Sequence, residues 1–248
     1  MQARHLMVIR GPMADSPMPA PENRRAPNVL VFMVLLSVAG LVVALLSLST
    51  PQNLKNIGGY EVTSKTGTAW EMTTVLQSAI DRKQPLTLTE RHINLWLART
   101  LQPHQGGLFS RVISLDRVWV RLEDKRAEVI QARRIFGQPF TVSMFVKVEQ
   151  SHGDHGALTQ IHLHGGSYFE ILPQVRRGGR FGNLVVPQGF LLMVIPSYQK
   201  LARLLSEEIH LGFEEMAHIQ IAKGRLILDP RHRLVEPSSI PSGTRHAF

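Results

Sequence analysis

Residues 140–149 read FTVSMFVKVE. Phe140, Val142, Met144, Val146 and Val148 fall on one parity, and Thr141, Ser143, Phe145, Lys147 and Glu149 on the other. Period-two alternation marks a strand with one face in a core and one nearer to water. The pattern repeats upstream, where Val118, Val120 and Leu122 alternate with Trp119 and Arg121. Residues 127–136 predict a further strand, and 158–164 (LTQIHLH) a returning one. Gly137-Gln138-Pro139 and the SHGDHG of 151–156 supply hairpin turn residues between them. An antiparallel sheet follows. Because helical periodicity flanks it on both sides, the fold class is α+β.

On the N-terminal side, Thr68-Ala69-Trp70-Glu71 has capping-box spacing, with Glu71 at the third helical position. The helix it opens runs to about Arg82, with Trp70, Val75, Leu76, Ala79 and Ile80 on one face and Pro85 ending it. Residues 86–90 (LTLTE) are expected to open a second helix with Thr89 as N-cap, although Thr87 with Glu90 also has capping-box spacing. Ile93, Leu95, Trp96, Leu97 and Leu101 form its apolar face. On the C-terminal side, RRGGRFG at 176–182 reads as a flexible basic loop. The apolar stretch 184–195 then leads into a long amphipathic helix, 190–209, carrying Tyr198, Leu201 and Leu205. Pro196 either kinks that helix or starts a new one in its first turn. Ile219 and Ile221 face Leu226 and Leu228 across a Lys223-Gly224 turn.

The other decisive stretch is 29–49, VLVFMVLLSVAGLVVALLSLS, which carries no charge. An uncharged run of about 20 residues crosses a hydrocarbon core as a helix. Arg24 and Arg25 sit directly before it, whereas Lys55 and Lys65 lie dispersed beyond it. That asymmetry places the N-terminus in the cytoplasm. The run is longer than the apolar core of a cleaved signal peptide and follows a long Pro-rich leader, so an uncleaved anchor is expected. The resulting organisation is a disordered cytoplasmic tail (1–28), a single-pass transmembrane anchor (29–49), a linker (50–65), an exported domain (66–236) and a disordered tail (237–248).

Chemistry is sparse. The chain has no cysteine, which excludes disulfides, thiolate metal sites and cysteine nucleophiles. No G-x-S-x-G elbow occurs, and RRGGRFG lacks the spacing of a phosphate loop. Glu207-Glu208 and Glu214-Glu215 are adjacent pairs, which point in different directions on a helix and make no acid/base dyad. His152, Asp154, His155, His162 and His164 form the densest polar cluster. His162 and His164 share a strand face, as a metal pair can. All of these come from one hairpin, however, and a solvated turn beside a polar strand face accounts for them, so no metal site is assigned. The net charge of +9 favours anionic partners. Aromatics are few and not interleaved with basic runs, so nucleic acid is not expected as a partner. The reading is non-enzymatic, with no cofactor.

Two passages carry a family resemblance. One is LTLTERHINLWLART (86–100), a threonine-capped helix with Asn94 among leucines. The other runs from GNLVVPQGFLLMVIPSYQKLARLLSEEI to IQIAKGRLIL, a strand, a proline, a long helix and a two-stranded finish. Their order resembles the membrane-anchored, single-domain bacterial branch of the tubular lipid-binding (TULIP) superfamily, over about residues 66–230. The proline within the helix and the His-rich hairpin depart from that pattern. The resemblance implies a curved antiparallel sheet wrapped around the long helix, with acyl chains in the apolar space between them. On that basis Val142, Met144, Val146, Phe190, Leu191, Leu192, Val194, Ile195, Leu201 and Leu205 are candidate lipid-binding residues, and Arg176, Arg177 and Arg180 candidate headgroup contacts. The expected function is lipid handling at the bacterial inner membrane, with the domain periplasmic or extracellular. Membrane lipids, and envelope proteins besides, are the expected partners. The alternative is an envelope interaction module with a filled core.

Overall fold

The computed structural model describes residues 26–60, 71–101, 113–153 and 156–231. Contacts divide the chain into two units, Met1–Val43 and Ala44–Phe248. Helix α1 (Ala26–Ser49) begins in the first and ends in the second. Within it, Asn28–Ser49 is long and apolar enough to cross a membrane. Its side chains from Val29 to Leu46 are apolar almost throughout and largely exposed.

In the second unit, strand pairing follows the alternation. Strands β2 (Ile113–Glu123), β3 (Arg126–Ile135) and β4 (Gln138–Gly153) form an antiparallel meander. β4 also pairs with β5 (Gly156–His162) and with β7 (Leu172–Phe181). β7 in turn pairs with β6 (Ser167–Phe169) and β8 (Leu184–Pro187). The seven strands make one open antiparallel sheet. The turn between β3 and β4 falls at Phe136-Gly137, both with positive φ, as a tight two-residue hairpin requires. A second sheet joins β1 (Leu86–Thr89), β10 (Arg225–Asp229) and β9 (His218–Ala222), with β10 central. Its β9–β10 register sets Ile221 opposite Leu226 and Ile219 opposite Leu228, as the sequence indicates.

Helix α2 (Met72–Asp81) starts one residue after Glu71. Glu71 is therefore its N-cap rather than its third residue, and Thr68, Ala69 and Trp70 lie outside the described residues. Helix α3 (Glu90–Thr100) has Thr89 as its N-cap, and the Thr89 hydroxyl accepts from His92 N at 3.2 Å.

Three expectations are corrected. LTLT is a strand, not the opening of a helix, because its partner in β10 supplies the ladder. RRGGRFG is not a loop but the second half of β7. Its strand period is hidden because Gly178 and Gly179 occupy positions with no room for a side chain. A Cβ on Gly179 would collide with the Ser143 carbonyl of β4, and one on Gly178 would press on Gln188 Cα at 2.7 Å. The single long helix over 190–209 is instead several pieces. A 3-10 turn (Gln188–Met193) precedes α4 (Ile195–Leu204), α5 (Ser206–Ile209) and a π-helical turn (His210–Glu214). Pro196 lies in the first turn of α4, where its missing N–H costs nothing, and Leu205 leaves helical geometry at φ −115°, ψ 27°.

Candidate functional site

The two faces of the β2–β3–β4 meander are built differently. On one, register brings Leu122, Ala127 and Val146 together, then Val120, Val129 and Met144. Across from them stand Leu76 of α2, Ile93, Trp96 and Leu97 of α3, Leu201 of α4, and Leu205 just after it. Leu88, Ile221, Leu226 and Leu228 of the smaller sheet close one side. These walls leave a cavity of about 300 Å³. Among its 26 lining residues only Glu208 is charged. Ile161 and Ala202, both exposed, stand at its rim.

Tyr198 and Gln131 are buried polar residues of this face; Tyr198 is the one that lines the cavity. The Tyr198 hydroxyl lies 3.0 Å from both the Val129 and Val142 carbonyl oxygens. Burial holds the phenol well above its ordinary pKa. Beyond it, the Ser197 hydroxyl donates to Gln131 Oε1 at 2.7 Å, and Arg133 bonds both Ser197 and Gln131. Burial lowers the Arg133 pKa.

The opposite face holds a polar layer. Glu128 has no solvent exposure. It accepts from Arg121 at 2.7 Å and from the Ser143 hydroxyl at 2.6 Å, with Arg180 at 3.6 Å. Residues 51–60, read from sequence as linker, cover this layer. Gln52 N donates to Thr141 Oγ1 (2.9 Å) and its side-chain amide to Ser143 Oγ (3.2 Å). Ile57 packs with Trp119 and Ile130, and the Tyr60 and Trp119 ring centroids are 5.5 Å apart. Asn94 and Glu90 clamp this segment to the free edge of β2. Asn94 Oδ1 accepts from Val120 N (2.7 Å), and its Nδ2 donates to the Val120 (2.8 Å) and Gly58 (2.9 Å) carbonyls. Glu90 takes Gly58 N at 2.6 Å and Leu122 N at 2.8 Å. Side chains thus satisfy an edge that would otherwise present open ladder groups.

Of the ten candidate lipid-binding residues, Met144, Val146, Leu201 and Leu205 line the cavity. Val142 and Val194 instead pack in a neighbouring cluster with Phe181 and Tyr198. Leu191 is buried against Gly178. Phe190 and Leu192 are exposed and Ile195 half-buried, none of them on the cavity. The break at 193–195 turns this part of the segment away. The three arginines do not form one patch. Arg176 and Arg177 are exposed neighbours on a strand and point to opposite faces, while Arg180 is engaged with Glu128 and stacks 5.7 Å from the Phe145 ring. His162 stands 3.5 Å from Glu149, and His164 Nδ1 accepts from Gly166 N at 2.8 Å. Burial, with Arg176 and Lys147 nearby, lowers the His164 pKa. Asp154, His155 and the His152 side chain lie outside the described residues. Among the described residues, no group of three or more potential ligands could hold a metal.

The cavity walls from α2, α3 and the β9–β10 hairpin were not among the sequence candidates. Their apolar faces are legible, but which cavity they share is not. The chain therefore defines a class by its architecture: an α+β domain behind a membrane-length apolar helix, with an apolar cavity between an open antiparallel sheet and short helices. No protein-family model matches this sequence, and none of the curated proteins is significantly similar to it.

Proposed function

We propose that this protein is a membrane-tethered, non-enzymatic domain that takes a lipid acyl chain into the cavity between its sheet and its helices. On this reading α1 is a single-pass anchor in the bacterial inner membrane, with the N-terminus cytoplasmic and the domain periplasmic or extracellular. The domain is a relative of the anchored tubular lipid-binding proteins, its sheet curling about the helical part of the 190–209 segment that carries Leu201 and Leu205. The observation that carries the reading is the cavity of about 300 Å³ with one charged residue in its lining. Apolar cavities of about 150 Å³ stay dry and admit benzene, so this one has room for about twelve carbons. Complete transfer of that many methylenes from water is worth about 10 kcal/mol before the cost of ordering the chain, an upper bound here because the space is partly open to solvent. Arg176 and Arg177 are exposed and available to anionic headgroups.

The test is mass spectrometry of lipid retained by the full-length chain after purification in a mild detergent, beside Leu201→Trp, which fills the cavity from α4. The wild type is expected to retain acyl lipid and the variant to lose most of it. Equal retention in both would assign the lipid to the anchor alone and end the reading.

A second reading, an interaction module for envelope proteins, is favoured by one observation. Phe169, Ile171 and Leu172 at the β6–β7 turn are exposed apolar residues grouped around Glu170, which suits a protein partner.

A further inference from the structure

We propose that the Gln188–Met193 turn and the outer face of α4 rest on the surface of the membrane that α1 spans, as a second contact beside the anchor. The inference depends on the anchor part of the function above and not on any ligand in the cavity.

The position follows from the end of α1. Ser47 O accepts from Asn183 N at 2.9 Å, in the turn between β7 and β8. Leu48 and Val194 both border the cluster of Val142, Phe181 and Tyr198. A helix that fills the bilayer as far as Ser49 therefore brings this turn and Val194 to the lipid–water interface. Immediately before Val194 the chain exposes Phe190 (52%), Leu192 (73%) and Met193 (69%). These are large apolar groups that gain nothing from water.

Charge fits the same occupant. From 184 to 206 the sequence has no Asp or Glu, while Lys200 and Arg203 are exposed on α4. Apolar groups beside cations, without acids, suit a bilayer with anionic headgroups. The β3–β4 turn adds a further point. Gly182 N donates to Thr141 O, and the strand continues past Thr141 at this same end to Phe136, 80% exposed. The apolar tip at Ile171 provides a contrast. It lies beyond the other end of β7, which itself spans about 30 Å at roughly 3.3 Å per strand residue. The inner side of α4, through Leu201, lines the cavity together with Leu205 at its end, so a single helix separates the lipid surface from that space.

Because the chain has no cysteine, one introduced cysteine carries one label. Full-length Leu192→Cys, Met193→Cys, Ile171→Cys and Val38→Cys, each bearing an environment-sensitive fluorophore, would be reconstituted into phosphatidylglycerol–phosphatidylcholine vesicles containing spin-labelled lipid. Labels at 192 and 193 are expected to be quenched several-fold more than the label at 171. Adding Lys200→Gln and Arg203→Gln is expected to narrow that difference. A label at 192 no more quenched than one at 171, with the label at 38 strongly quenched, would overturn the second contact and leave the anchor standing. A label at 38 unquenched would overturn the anchor and this inference together. Quenching at 192 unaffected by the two charge substitutions would overturn the anionic surface as the occupant.

Discussion

Val129 and Ile130 are neighbours on β3 and meet opposite interiors. Val129 looks into an apolar cavity that its surroundings leave partly empty. Ile130 has no exposure and packs between Trp119 and Ile57, beside a buried carboxylate held by two arginines and a serine. The space beside Val129 is lined almost wholly by apolar groups, whereas the face around Ile130 mixes apolar side chains with a buried ion pair. Apolar walls can stand apart without breaking any specific bond, whereas buried charges demand partners at fixed distances. Space for a ligand is therefore compatible with the first face and not with the second.

The sharpest way to break this comparison is Glu128→Ala. Removing the carboxylate leaves Arg121 and Arg180 facing each other across a buried layer. Taking one partner from a buried pair costs about 3–5 kcal/mol, and the partial exposure of both arginines points to the lower end. Urea unfolding of the full-length chain in detergent measures it. A cost below about 1 kcal/mol would show that the layer is no more constrained than a surface ion pair.

Next in size is the pair Ile130→Ala and Val129→Ala. The first opens a hole in a filled face and is expected to cost about 3 kcal/mol. The second enlarges an existing space and is expected to cost about 1 kcal/mol, chiefly lost transfer energy. Equal costs in the same unfolding assay would mean that the two faces are packed alike.

The smallest effect is Tyr198→Phe, which removes the hydroxyl bonded to Val129 O and Val142 O. A loss of about 1 kcal/mol is expected. The pH dependence carries more information. Burial raises the folded-state phenol pKa. Above about pH 10 the unfolded chain gives up this proton while the folded chain keeps it, so stability is full below that pH and falls as pH rises. Tyr198→Phe is expected to flatten that alkaline slope, followed by thermal melts between neutral and strongly alkaline pH. A slope unchanged by the substitution would place the tyrosine in contact with water.

Much of this architecture is legible from local patterns. The period of 140–149 sets β4, and the Lys223-Gly224 turn sets the last hairpin with its register. Thr89 is readable as a cap. β7 was hidden because strand period is read from apolar side chains, and the close approach of β4 and of Gln188 requires glycine at 178 and 179. Asn94 stands out among leucines in sequence, but its task at the β2 edge depends on a partner 26 residues away. The cavity was half legible. Met144, Val146, Leu201 and Leu205 follow from their faces, whereas Phe190 and Leu192 do not, because the helix breaks before α4.

By itself the sequence determined the membrane-length helix, the absence of thiol chemistry and the parity of the sheet. These depend on composition and on spacing between near neighbours, which local sterics and solvent transfer convert directly into structure. Only the tertiary structure decided that residues 51–60 roof a buried Glu128, that α4 stands alone, and that the apolar walls stop short of filling the space between them. Those outcomes depend on how distant segments meet. The volume left over is a difference between large packed surfaces, and no single segment encodes it.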